Sequence, residues 1–95
     1  MAEEKTVYPV VLSLQHPVEL GSEVIYELKI QRPKAKHFER FNMGDPQFTD
    51  MLELLSQLSG QAPSTIRELD WDDTQEAFAI LGKLLTPSRK IMKQR

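Results

Sequence analysis

The hydrophobic period of this chain changes once, near Pro33, and that change limits what the chain can fold into. Before it, Val24, Tyr26, Leu28 and Ile30 alternate with Ile25, Glu27, Lys29 and Gln31, the period-two pattern of a strand with one buried face. After it, apolar residues return every three or four positions, as they do on amphipathic helices. A further strand reads from Val7 to Leu14, where Val10, Leu12 and Leu14 alternate with Val11 and Ser13. Pro9 cannot donate a ladder hydrogen bond and sets the start of that strand at an edge. The polar break His16-Pro17 and the turn signal Leu20-Gly21-Ser22 separate the two runs, so an antiparallel hairpin is the economical pairing. A lone hairpin is marginal in water, and the helices that follow must cover its apolar face.

Pro33 suits the first turn of a helix, because its fixed φ is already helical and its missing N–H would be unpaired there. Ala35, Phe38 and Phe41 continue at helical spacing until Gly44. Asp45-Pro46 then reads as a cap followed by proline at the first helical position. The next helix carries Phe48, Met51, Leu52, Leu55 and Leu58 on one stripe, with Gly60 as its C-cap. Ala62-Pro63-Ser64-Thr65 opens a short helical turn to Leu69, with Thr65 and Glu68 at capping-box spacing. The last helix begins at Asp70-Trp71-Asp72-Asp73 and runs to about Leu85, where Thr86-Pro87 stops it. The expected fold class is therefore α+β, an N-terminal antiparallel β-hairpin packed against three to four short C-terminal helices. Residues 1–6 are expected to be a disordered N-terminus, 7–86 a single domain, and 87–95 a basic flexible tail.

Ninety-five residues hold one core. Hydrophobic residues make up 40% and charged residues 27%, which is too apolar for intrinsic disorder. There is no cysteine, so neither a disulfide nor a thiolate chemistry is available, and a reducing cytoplasm is the expected compartment. Met1-Ala2-Glu3-Glu4-Lys5 is acidic and polar, unlike the basic and then apolar start of a signal peptide. No run approaches the 18 or so apolar residues of a membrane span. Arg89, Lys90, Lys93 and Arg95 give the last residues a basic character. On a chain of net charge -2, with no aromatic residue among them, they make a weak nucleic-acid footprint.

Candidate chemistry is thin. His16 and His37 have no Ser-His-Asp or metal-type spacing, and no pair of nucleophile and base is visible. Glu68, Asp70, Asp72, Asp73 and Glu76 lack the glycine and alternating oxygen ligands of a calcium loop. Asp70 as N-cap, with Asp72 and Asp73 in the first turn, explains the cluster through the helix dipole. Gly21, Gly44, Gly60 and Gly82 are too scattered for a phosphate loop. A non-enzymatic protein with no cofactor and no metal is expected.

What is unusual is the last helix. At about 100° per residue, Trp71, Ala77, Phe78, Ile80, Leu81, Leu84 and Leu85 span an arc of roughly 180°, where one core needs only about 100°. The surplus meets a third element of the domain or a partner. Ile80, Leu81, Leu84 and Leu85, with Met92 on the tail, are the candidate partner-binding residues, and Leu54, off the main stripe of its helix, is another.

The order of these signals resembles a known family. Leu12-x-x-x-x-Pro17-Val18 precedes a turn, and Val24-x-x-Glu27-Leu28-x-Ile30-x-Arg32-x-Lys34 leads into a helix. After them come Met51-Leu52-Glu53-Leu54-Leu55-Ser56-Gln57-Leu58-Ser59-Gly60 and Pro63-Ser64-Thr65-Ile66-Arg67-Glu68-Leu69-Asp70, leading into Asp73. Over residues 11–85 this order and spacing resembles the tail assembly chaperones of long-tailed bacteriophages, the small E-like proteins of contractile-tailed phages and prophages. The resemblance implies an adaptor in the bacterial host cytoplasm that binds the tape measure protein and the tail tube protein during tail morphogenesis. Self-association as a homo-oligomer stays open. Rival readings are another small bacterial adaptor or regulatory module, and a weak nucleic-acid binder using Lys34, Lys36, Arg40 and the basic tail.

Overall fold

The structure, a computed structural model, describes residues 7–85. It has the α+β arrangement read from the sequence: an antiparallel hairpin of β1 (Val10–Leu20) and β2 (Glu23–Ile30), a 3-10 turn at Ala35–Phe38, and then α1 (Phe48–Ser59), α2 (Pro63–Ile66) and α3 (Trp71–Leu85). The expectations for residues 1–6 and for the tail after Leu85 lie outside the described residues.

The hairpin closes at Leu20↔Glu23 across a two-residue turn in which Gly21 takes φ 61, a conformation that glycine adopts without a Cβ clash. Pairing is regular from Val10↔Ile30 to Ser13↔Glu27 and again from Val18↔Ile25 to the turn. Between these stretches four residues of β1 oppose one of β2, so the ladder is irregular at Leu14 to Pro17. The sequence places a break at His16-Pro17, yet the strand runs on through it to Leu20. Leu12, Leu14, Val18, Leu28 and Ile30 are buried on the covered face. Tyr26 and Val24, expected on that face from their alternation, are exposed instead, and Ile25 is half-buried. The irregularity re-aims the strands on the turn side of it, so the simple alternation holds only for Leu28 and Ile30.

Helices α1 and α3 cover the hairpin, α1 against β2 and α3 against β1. The 3-10 turn brings Phe38 and Phe41 together edge-to-face at 5.6 Å. Helix α1 starts later than Asp45-Pro46 suggests. Gln47 is its N-cap, and the Gln47 N–H donates to Asp50 Oδ2 at 2.8 Å. Its end is the one expected, with Gly60 at φ 79 donating its N–H to the Ser56 carbonyl at 2.9 Å. The Gln31 N–H donates to the Leu58 carbonyl at 3.0 Å and ties the end of β2 to α1. Helix α2 is a single turn that begins on Pro63, so Thr65 lies inside it, buried, rather than capping it. One core joins Leu12, Leu28 and Ile30 of the hairpin to Leu54, Leu55 and Leu58 of α1, Ile66, and Ala77 and Leu81 of α3. Fully burying each such leucine or isoleucine contributes about 1.5–3 kcal/mol.

Candidate protein-binding surface

Helix α3 meets the hairpin through one charged residue. Asp73 is fully buried, and its two carboxylate oxygens accept the backbone N–H groups of Gln15 and His16, each at 2.9 Å. These are the donors that the irregular stretch of β1 holds out of the ladder, and a carboxylate is the side chain able to take both. The sequence suggests only a first-turn acid at Asp73. The signal that could have marked it is its wheel position, since it falls among Ala77, Ile80 and Leu84 on the apolar side of α3. Asp70 caps the helix as expected, accepting the Asp72 N–H at 3.0 Å.

The Asp73 clasp carries His16 over the start of α3. His16 Nε2 lies 3.7 Å from Asp70 Oδ2 and 3.8 Å from Asp72 Oδ2, and all three side chains are exposed. A protonated imidazole there pairs with both carboxylates, a weak interaction in water. His37 is remote from this cluster. Its Nδ1 accepts the Lys34 N–H at 2.9 Å, and its pKa lies below the usual histidine value because burial disfavours its charge and Lys36 and Lys34 repel it. The two histidines share no partner, and no nucleophile stands beside either among the interactions of the described residues. Between α1 and α2 there is a shallow groove lined by Thr49, Leu52, Glu53, Pro63 and Arg67.

The surplus arc of α3 divides between two neighbours. Leu81 is buried in the core, and Leu54 of α1 is buried too, so these two belong to the interior and not to an exposed binding surface. The reason is that α1 packs against β2, α2, the 3-10 turn and α3 together, which buries more than one stripe of it. Ile80, Leu84 and Leu85 are half-buried against the same core. Met92 lies outside the described residues. By wheel position Ile80 is on the side of Asp73, which meets β1, whereas Phe78 is on the opposite edge, where it meets α1.

On that opposite edge apolar surface stays open. Trp71 is 59% exposed and Phe48 50% exposed. Their rings stand 6.1 Å apart, and Phe48 lies 5.5 Å from Phe78, so three aromatic side chains form one patch at the junction of α1 and α3. Exposed Asp70 and Asp72 flank Trp71 in the chain. Trp71 and Phe78 belong to the apolar arc of α3, but two of the residues expected to meet a partner, Ile80 and Leu84, lie at its far edge. Which edge stays open depends on where α1 sits, and wheel geometry carries no information on that.

The fold is α+β, with an aromatic patch at the junction of α1 and α3. Comparison with protein-family models, with curated proteins and with solved structures returned no match.

Proposed function

We propose that this chain is a protein-binding adaptor, and specifically a phage or prophage tail assembly chaperone that holds a helical segment of the tape measure protein and contacts tail tube subunits in the host cytoplasm. The observation that carries the adaptor reading is the patch of Phe48, Trp71 and Phe78, two of whose rings are half or more exposed. Large aromatic side chains left in contact with water on so small a domain are the anchors of a binding surface. The tail assembly reading is supported by the order of motifs over residues 11–85. A chaperone of this kind covers apolar helix on its client while its own charged flanks keep the complex in solution, and Asp70 and Asp72 are such flanks. Among the described residues no helix is long and apolar enough to cross a membrane, which accords with work in an aqueous compartment. The reading assigns no catalytic step.

The test is co-expression with the tape measure protein of the same genome, scored as soluble complex recovered on the adaptor. Wild type is expected to retain the tape measure protein in solution. Trp71→Glu should lose the complex with a thermal melt close to wild type, since the ring is mostly outside the core. Failure of the wild type to hold the tape measure protein would remove the tail assembly reading. Salt-sensitive retention of random DNA would replace it with the nucleic-acid one.

A further inference from the structure

The aromatic patch stands where two helices begin. Phe48 is the first residue of α1 and Trp71 the first of α3, and their rings are 6.1 Å apart. Acids are fixed beside both. Asp50 Oδ2 accepts the backbone N–H of Gln47, the neighbour of Phe48, at 2.8 Å, and Asp45 Oδ2 accepts the side-chain amide of the same Gln47 at 3.0 Å. Asp70 Oδ2 accepts the Asp72 N–H at 3.0 Å, so these two acids stand on either side of Trp71 in the chain. Among the described residues no lysine or arginine pairs with any of the four, and His16 is the basic side chain that meets two of them.

The imbalance extends over the whole helical segment. Between Arg40 and Lys83 the chain has eight acidic residues and one cation, Arg67, although its net charge is only -2. Positive charge is therefore kept out of the segment that builds the patch. The two helix N-termini supply about half a positive charge each, which offsets only part of four carboxylates. Capping and the helix dipoles account for single acids at each helix start. They do not account for a segment nearly without cations around an exposed tryptophan. Such surroundings repel phosphate groups and anionic surfaces and attract cations. The indole face is also the best aromatic surface for an ammonium or guanidinium group.

We propose that the partner seated on Phe48, Trp71 and Phe78 is a cationic amphipathic protein segment, whose apolar residues cover the rings and whose lysine or arginine residues pair with Asp45, Asp50, Asp70 and Asp72. The inference rests on the adaptor reading and narrows it to one chemistry of client.

The probes are three synthetic peptides of about 20 residues, long enough for helix in water, that share a leucine-rich face and carry lysine and arginine, glutamine, or glutamate on the other. All lack tryptophan, so titration into the full chain is read from Trp71, the one tryptophan of the chain. The cationic peptide should bind about tenfold more tightly than the glutamine peptide, the gain expected of a few exposed ion pairs, and the glutamate peptide should bind weakest. At about 1 M salt, where the screening length is about 3 Å, the three should converge. Asp70→Asn combined with Asp72→Asn keeps the cap, and should weaken the cationic peptide about fivefold while leaving the glutamine peptide unchanged. Asp45→Asn, outside both helices, should act in the same direction and keeps the test decisive if the double variant melts early. Equal binding of all three peptides at Trp71 overturns the charge selection and leaves the adaptor reading standing, whereas binding of none overturns both. A Trp71 response to a DNA duplex or to phosphatidylserine vesicles overturns the proposal. So does an emission that shifts with salt in the protein alone, since the chain's own cations at residues 89–95 would then hold the site.

Discussion

At Asp73 a single carboxylate does the work that a strand partner does elsewhere, taking two backbone N–H groups that β2 does not reach. Asp73→Ala would leave both donors without an acceptor in a partly buried position and should destabilise the domain by about 2–4 kcal/mol, read as a lower urea midpoint at unchanged slope. A change within about 0.5 kcal/mol, the range of surface substitutions, would show that water replaces the carboxylate. Gly82 predicts the opposite sign. Its exposed helical position has room for a Cβ, so Gly82→Ala should raise stability by about 0.5–1 kcal/mol, measurable as a melting temperature several degrees higher. A fall would mean that the backbone at Gly82 departs from regular helix. For His37 the folded pKa is depressed, chiefly by burial and then by Lys36 and Lys34. The unfolded chain therefore binds more protons as pH falls towards the ordinary histidine value near 6.5, and this residue's share of stability is present above that value and lost below it. NMR titration should place His37 below about 6.5, and Lys36→Ala should move it upward. A His37 midpoint above 6.5 would refute the assigned cause.

On the scale of elements, the hairpin is the most informative. Ile30 is fully buried and Tyr26 is 66% exposed, although the two share a parity on β2. Ile30→Asp should abolish cooperative folding, since an unpaired carboxylate there costs more than a small domain's margin of stability. Tyr26→Asp should melt within a few degrees of wild type. If both variants unfold, the irregularity at Leu14 to Pro17 does not re-aim the strand and the regular register is the true one. Local signals set the helix ends closely where a backbone requirement speaks, as at Gly60, and loosely where a side chain must choose, as at Asp45 and Gln47. Thr65 and Glu68 have capping-box spacing, but Pro63 starts the turn earlier and burial claims the threonine.

Over the described residues, the elements share one core and leave the aromatic patch of Phe48, Trp71 and Phe78 at the junction of α1 and α3. The class of fold, the order of elements, the turn at Gly21, the cap at Asp70 and the burial of Leu55, Leu58 and Ala77 were legible in the sequence, because each depends on residues close together in the chain. Periodicity and capping chemistry are local, and they act before any long-range contact forms. The sequence also shows that α3 is apolar over more than one face needs. The fate of that surplus was decided by tertiary structure: α1, wedged among four neighbours, buries Leu54, and its first residue, Phe48, meets Trp71 and Phe78. In the same way β1 continues through Pro17 because Asp73, 57 residues further along, accepts the N–H of His16. Contacts between residues so far apart depend on how the packed elements are oriented, which no pattern within a single element records.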